Sequence, residues 1–273
     1  MPELPEVEHA RRSLSRWLGA SDIVRATVSD LRILKPRLSA AVVDKALRGR
    51  RVKKIERRGK WLRIVLVPAA KKPTFLYSHL GMTGKWVLAP SPEAVRFEKL
   101  RLVVEKTGCT RNVCYLDPRL FGRLFLASED PPEWTSLGPD PLHDGIDVDQ
   151  LAAKLARRSA PIKPTLLDQT VLAGVGNIQA TEALFDALID PRRPAHSLGK
   201  KEVTAVARGI EKSIARTLLA QKGPLITYVE EVGAENPFIV YERGGEPCPR
   251  CGRPLRKIFL AGRGTVFCPH CQR

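Results

Sequence analysis

The apolar positions of the chain change period along its length. Between residues 2 and 20, Val7, Ala10, Leu14 and Leu18 recur at helical spacing, and Gly19 is a natural stop. Pro2 suits a first-turn position, where its missing N–H costs nothing. From about residue 22 to 128 the period shortens. Residues 24–28 alternate, 61–67 form a short apolar run, and 99–105, 111–116 and 123–126 follow, with Gly and Pro turns between them. These segments predict strands. Strands set this closely, without long helices between them, predict an antiparallel sandwich or barrel. Residues 148–222 become helical again, with candidates at 148–158, 164–172, 177–187 and 200–222. From about 238 the tail reads as short strands around paired cysteines.

Composition narrows the function. At 273 residues the chain is long enough for about two domains, and 43% hydrophobic residues exclude a mainly disordered chain. The longest apolar stretches, such as 64–70, fall far short of the ~20 residues that span a bilayer. Glu3, Glu6, Glu8, Arg11 and Arg12 at the N-terminus do not make a signal peptide. A cytoplasmic chain is expected. Lys plus Arg number 46 against 29 Asp plus Glu, for a net charge of +17. Such a surface attracts polyanions, and nucleic acid is the favoured partner, because phosphate contacts release counterions. A membrane is not expected: there is no basic amphipathic helix and no lipidation signal.

Cys248-Pro249-Arg250-Cys251 is followed, after sixteen residues, by Cys268-Pro269-His270-Cys271. Each pair presents two thiolates from one tight turn, and a hairpin between them closes a tetrahedral structural zinc site. Two disulfides or a redox C-x-x-C are the alternatives. Without a secretion signal, a reducing compartment and metal binding are favoured. His270 is expected to be solvated, and Cys109 and Cys114 to be free cysteines in the strand region.

Pro2 follows Met1, and an initiator methionine is usually removed before such a residue. The exposed secondary amine, with an α-amino pKa near ~8, would be a nucleophile towards an aldehyde-like carbon. Glu3 and Glu6 stand beside it to move protons. The alternative is a plain helix start, with Pro in the first turn and acidic residues favourable to the helix dipole.

The string Pro2-Glu3-Leu4-Pro5-Glu6-Val7-Glu8, together with motifs further on, resembles the bacterial formamidopyrimidine-DNA glycosylase and endonuclease VIII family, closer to the former. Arg58-Gly59-Lys60-Trp61-Leu62 is similar to that family's strand lysine motif. His79-Leu80-Gly81-Met82-Thr83-Gly84 is similar to its void-filling loop, and Asp117-Pro118-Arg119-Leu120-Phe121-Gly122 to the loop that follows. Asp168-Gln169-Thr170 through Gly174-Val175-Gly176-Asn177-Ile178 to Glu182-Ala183-Leu184-Phe185 resembles its helix–two-turn–helix segment. Val240-Tyr241-Glu242-Arg243 and the cysteine tail complete the series in the family's order.

The resemblance implies an α+β fold. An N-terminal antiparallel β-sandwich with flanking helices would span 1–130 and carry the catalytic residues. A linker over 131–147, a helix–two-turn–helix domain over 148–237 and a zinc β-hairpin over 238–273 would follow. DNA would lie in a basic cleft between the halves. The implied activity is excision of oxidised bases from damaged double-stranded DNA by a monomer holding one structural Zn2+, with β,δ-elimination at the resulting site. Pro2 would attack the sugar, Glu3 would be the general acid–base group, and Lys60 and Arg263 would grip phosphates at the reacting nucleotide. Glu6 would order the N-terminal helix or a water. Asn177 and His79 would contact phosphates. Met82 would fill the hole left by the flipped base, Phe121 would unstack a neighbour and Arg119 would bond the orphaned partner base. Without the resemblance, Met82 and Phe121 would be read as core residues, and His79 as a packed histidine.

The chain departs from the family at Leu120, where a basic residue is frequent, and at Gln179, where an aromatic often follows Asn-Ile. The lid expected over 223–240 is several residues short, with Val229-Glu230-Glu231 in place of the usual polar pattern. That leaves the lesion class open between oxidised purines and oxidised pyrimidines. A zinc-finger DNA-binding protein without catalysis, and a basic protein that binds RNA or a membrane surface, are the expectations from other classes.

Overall fold

The computed structural model describes residues 2–67, 74–229, 231 and 236–273. The expected loss of Met1, the end of the apolar run 64–70 and part of the short lid fall outside the described residues. The chain forms two compact units. One comprises Met1–Pro2, Glu6–Thr135 and Gln221–Glu231; the other comprises Glu3–Pro5, Ser136–Ala220 and Val232–Arg273. Residues 221–231, read from the sequence as part of the helical domain, thus lie with the first unit. No helix among the described residues is long and apolar enough to cross a membrane.

The first unit is built on helix α1 (Leu4–Leu18) and eight strands: β1 (Asp22–Val28), β2 (Arg51–Arg58), β3 (Trp61–Val67), β4 (Thr74–His79), β5 (Lys85–Ala89), β6 (Glu98–Lys106), β7 (Cys109–Leu116) and β8 (Arg123–Ala127). Every strand pairing is antiparallel, in the order β5-β7-β6-β1-β2-β3-β4-β8. β1 and β2 meet at a single register pair, Asp22↔Arg51, so the sheet divides there into two four-stranded halves. Leu102, Val104 and Val113 from one half share a buried cluster with Ile55, Ile64 and Leu76 from the other. This is the expected antiparallel sandwich, and Val7, Leu14 and Leu18 of α1 pack into the same core.

The elements that escaped the periodicity include strands β4 and β5, helix α2 and strand β2. Helix α2 (Ala40–Leu47) interrupts the strand region; Ser39 Oγ accepts from Val42 N–H at its start, and Val43 and Leu47 are buried. Two turns are too short for a helical repeat to register. β2 is mostly charged, and a register shift between Val52 and Lys54 breaks its alternation. Its inward residues are therefore Val52, Ile55 and Arg57, a pattern no regular strand displays. A short helix, α3 (Pro132–Thr135), closes the unit.

Arg57 is buried against α1, where its Nε donates to Glu8 Oε2 at 3.2 Å. Arg11 and Arg12 donate to the same carboxylate at 2.8–2.9 Å. Burial alone raises the Glu8 carboxyl, but the bonds from Arg11 and Arg12 and the Arg57 charge bring it down to about 2.

The second unit holds α4 (Val148–Leu155), α5 (Ile162–Leu167), α6 (Asn177–Ala187), α7 (Lys200–Ala220) and the hairpin β9 (Arg256–Leu260) with β10 (Arg263–Phe267). α4 starts on Asp147, whose carboxylate accepts from Asp149 N and Gln150 N. α5 does not cover the expected 164–172: it starts at Ile162 and stops at Leu167. Asp168 accepts from Thr170 N and Oγ1, while Gln169 donates to Leu167 O and Val175 O and accepts from Gly174 N. Such local side-chain bonds compete with helix continuation.

α6 is buried from Ile178 to Phe185, and α7 approaches closely where a Cβ on Gly209 would lie 2.5 Å from Ala183 O. Gln179, buried in this contact, donates to Thr217 Oγ1 and accepts from Ser213 Oγ. A polar residue is therefore accommodated at that departure from the family. Glu182, also fully buried, accepts from the backbone N–H groups of Ile239, Val240 and Tyr241 at 2.7–2.9 Å and so ties the start of the tail to α6.

The Glu8 ion contributes stability that is fully present above the ordinary carboxyl value of 4.5 and is lost as pH falls towards 2. Glu8→Gln should therefore remove about 3 kcal/mol of the acid-side loss across that window. Urea unfolding at stepped pH tests this, and a variant curve parallel to the parent would contradict it.

Candidate functional site

A helix whose N-cap is glycine has no side chain of its own to satisfy its first N–H groups. α6 is such a helix: Gly176 makes no side-chain cap. Glu3 takes the role from the far end of the chain. Its carboxylate is fully buried, Oε1 accepting from Ile178 N at 2.8 Å and Oε2 from Gln179 N at 3.0 Å. The positive end of the helix dipole favours a carboxylate at this position. The turn that leads into α6 uses Gly174 at φ +88°, and Leu4 N–H donates to its carbonyl at 3.1 Å. Glu3 is thus fixed in position and orientation one residue beyond Pro2, which is itself buried.

The same unit brings Asn177 and Arg263 towards this point and adds a residue the sequence reading missed. Lys163 is fully buried in α5, and its ammonium donates to Gly264 O at 3.1 Å and Thr265 Oγ1 at 2.6 Å. Burial pushes its pKa down to about 8, with the Arg263 charge adding to the shift and the Glu3 charge opposing it. The only signal in the sequence was a single charge in the otherwise uncharged stretch 159–167. Asn177 Nδ2 also donates to Gly264 O, at 3.1 Å, so one amide hydrogen expected for a phosphate is used within the chain. Its Oδ1 is buried without a partner among the described residues. Arg263 is exposed at the start of β10, directly after the turn residues Ala261 and Gly262, whose φ values are 46° and 72°. Two successive left-handed residues make the tight hairpin turn that matches strand twist.

In the first unit the expected residues sit on three connections. Lys60 is not on a strand as its motif suggested. It occupies the two-residue turn with Gly59 between β2 and β3, flanked by the register pair Arg58↔Trp61. His79 ends β4, half-buried, with its ring 4.8 Å from that of Trp61. Its Nδ1 accepts from Gly81 N–H at 3.1 Å, which leaves the proton of the neutral ring on Nε2. Burial, reinforced by the Lys60 and Arg123 charges, pushes its pKa down to about 4, so the ring is neutral at physiological pH.

Met82 and Phe121 are not core residues; they are 37% and 49% exposed. Arg119 is exposed beside Phe121, with its guanidinium carbon 4.6 Å from the ring centroid. The two loops carrying this trio are clamped to each other. Buried Asp117 accepts from Thr83 Oγ1 in one loop and from Arg119 N and Gly122 N in the other. A Cβ on Gly81, itself at φ +63°, would come within 2.4 Å of Phe121 C and O. The exposed side chains of Met82, Arg119 and Phe121 therefore project from a tightly clamped backbone.

Cys248, Cys251, Cys268 and Cys271 have their sulfur atoms within 4.8 Å of one another, and Cys251 and Cys268 are 3.6 Å apart. Four thiolates at ~2.3 Å around one zinc ion stand about 3.8 Å apart, so the group fits a closed tetrahedral site. His270 bonds to Arg253 at 2.9 Å instead. Cys109 and Cys114 lie on β7, one exposed and one buried; burial, with the Glu98 charge, pushes the Cys114 thiol up to about 12. Cys268→Ser should lower the zinc content from one per chain towards zero and lower the melting temperature of the second unit. Metal analysis with calorimetry measures both, and an unchanged zinc content would refute the four-cysteine assignment.

Comparison with known proteins agrees with this geometry over the whole chain. Residues 1–124 match the formamidopyrimidine-DNA glycosylase N-terminal domain, 137–228 the H2TH domain of the same enzymes, and 245–273 the zinc finger found in FPG and IleRS. The formamidopyrimidine-DNA glycosylase of Desulfitobacterium hafniense is 40% identical over 285 residues, covering all of both chains, and that of Herpetosiphon aurantiacus 38% over 279. Among solved structures, Lactococcus lactis Fpg in complex with abasic-site DNA is 31% identical with a TM-score of 0.85, covering 99% of each chain. The same protein with N7-benzyl-Fapy-dG DNA gives 32% and 0.86, covering 100% of each. The chain therefore belongs to the formamidopyrimidine-DNA glycosylase family of zinc-containing DNA-repair enzymes.

Proposed function

We propose that the chain excises oxidised bases, ring-opened purines and 8-oxoguanine among them, and cuts the strand through a Schiff base on Pro2. The observation that carries this is the Glu3 carboxylate, held by two N–H groups of α6 immediately after Pro2. A base inside a duplex is out of reach, so it first leaves the stack. Pro2, freed of Met1, then bonds its nitrogen to the sugar C1′ as the bond from C1′ to the base breaks. The Glu3 carboxylate takes the proton that the Pro2 nitrogen sheds and passes it to the ring oxygen, while the departing base is protonated by water; the sugar opens and the new bond becomes an iminium. That cation acidifies the C2′ proton, whose loss expels the 3′ side by β-elimination. A second, δ-elimination expels the 5′ side, and water hydrolyses the iminium to return Pro2.

Lys60, His79, Asn177 and Arg263 would hold phosphates, His79 through Nε2–H of a neutral ring rather than through charge. Met82 would enter the vacated stack, Phe121 would part the neighbouring bases and Arg119 would face the orphaned partner. The zinc's part is to fold the hairpin that carries Arg263. The solved Lactococcus lactis complexes, whose DNA carries an abasic site, a Fapy-dG or an oxidised pyrimidine, support the substrate class. The last of these, with the short 223–240 segment, also favours a second reading in which oxidised pyrimidines are preferred.

Borohydride reduction in the presence of duplexes containing 8-oxoguanine, a ring-opened guanine, an oxidised pyrimidine or an abasic site should trap the chain on DNA, with the adduct mapping to Pro2. Binding without any adduct, even on the abasic duplex, would sink the imine mechanism. Glu3→Gln should retain DNA binding but lose about 10²–10⁴-fold in excision, as expected for removal of an acid–base group. It should also cost roughly 1–3 kcal/mol of stability, because an amide NH2 would face one of the α6 N–H donors.

A further inference from the structure

The backbone donors that hold Glu3 belong to the first turn of α6, so the placement of that turn sets the placement of the carboxylate. Gly176 contributes no side-chain cap to it. On its buried side the turn is fastened to α7 by the side chain of Gln179. Gln179 Nε2 donates to Thr217 Oγ1 at 3.0 Å, and Ser213 Oγ donates to Gln179 Oε1 at 2.7 Å. The Thr217 hydroxyl donates its own hydrogen to Ser213 O at 2.9 Å, so it meets the amide only as an acceptor. One orientation of the amide therefore satisfies both hydroxyls, and the flipped one satisfies neither. Ser213 and Thr217 stand one turn apart on α7 and are 0% and 1% exposed, which shields the network from solvent. One turn farther along α6, a Cβ on Gly209 would lie 2.5 Å from Ala183 O, so the two helices already touch there without slack. Apolar contact alone tolerates repacking, whereas directed bonds in a buried contact specify one arrangement.

We propose that Gln179 is a positioning residue for base excision, acting on the Glu3 carboxylate from the α6–α7 contact. Its backbone N–H donates to Glu3 Oε2 at 3.0 Å, while its side chain ties that same residue to Ser213 and Thr217. One residue thus links the acid–base group to the longest helix of its unit. The Ile178 N–H, the other donor to Glu3, is the preceding link of the same turn. Loss of the side-chain bonds leaves α6 helical but frees its first turn to shift against α7. A displacement of about 1 Å in a group that moves protons costs on the order of 10²-fold in rate, so a partial loosening should cost about tenfold. The proposal rests on the acid–base role of Glu3 proposed above.

The test is a double-mutant cycle on single-turnover excision from an 8-oxoguanine duplex. Gln179→Leu should slow excision about tenfold, and Ser213→Ala, which removes one oxygen and one of the bonds, about threefold. In the Glu3→Gln background the same substitutions should change the residual rate less than about twofold, because the group they position is gone. The fall in melting temperature should persist in that background, since the buried polar groups stay unpaired. Equal fold-losses of rate in both backgrounds, or no loss in either, would overturn the proposal and leave Gln179 a packing residue. Ser213→Ala carries the cycle if Gln179→Leu does not fold. Excision untouched by Glu3→Gln alone would instead overturn the acid–base reading. The anchor is then judged by amide hydrogen exchange of the full chain. Ile178 and Gln179 should lose about tenfold in protection in Ser213→Ala, while Leu184 and Phe185 at the far end of α6 keep theirs. A uniform loss along α6, or none, also overturns it.

Discussion

Satisfaction of the first N–H groups of α6 is the constraint from which the second unit is organised. Gly176 gives the backbone room to turn but supplies no acceptor, so the helix start depends on Glu3. A buried carboxylate is costly unless it is fully bonded, and two backbone donors at a helix N-terminus meet that need. The same bonds fix the residue that follows Pro2, so the proposed chemistry and the stability of the helix start would draw on one interaction. Lys163 belongs to the same economy. Its charge is opposed by burial and by Arg263 but supported by Glu3, and its hydrogen bonds hold the Gly264 carbonyl and the Thr265 hydroxyl along the β10 edge of the hairpin.

The tail is attached by two separate devices. Glu182 collects three consecutive backbone N–H groups at Ile239–Tyr241, giving the chain a fixed entry point. Beyond it, the apolar cluster around the cysteines is small, with Phe185, Val240, Leu255 and Val266 as its main members. So little core cannot fold a hairpin by itself, and a metal held by four thiolates supplies the rest. Arg263 is consequently presented from a hairpin anchored at its base by zinc and along its edge by Lys163 and Asn177.

The first unit solves a different problem, that of holding apolar side chains in water. Met82 and Phe121 are partly exposed, and the backbone beneath them supplies rigidity. Asp117 binds both loops, and Gly81 allows one loop to press against the other with no side chain between. Tyr115, buried below, leaves no space for a Cβ at Gly84 or Gly122. The segment 221–231 joins this unit through Ile226 and Tyr228 in its core.

Much of this was legible in the sequence. The amphipathic first helix, strands β1, β3, β6, β7 and β8, α6 at its observed limits and the four-cysteine site follow from period and spacing, which are local properties of the chain. The motif order identified the family, and Lys60, Met82, Arg119, Phe121 and Asn177 fall on turns, loops and a helix start. Other features exist only in three dimensions. α2 is too short to show a repeat, β2 is disguised by its bulge, and α5 ends where Asp168 and Gln169 bond to their own backbone. Lys163 looks like any lysine until α5 is packed against the β9–β10 hairpin, and Lys85 and Glu231 are 146 residues apart before the fold brings them together. Sequence by itself determined which chemical groups are present and the local structure that periodicity and capping impose. Tertiary structure alone decided which of those groups are buried, bonded and charged beside one another, because burial and pairing depend on neighbours distant along the chain.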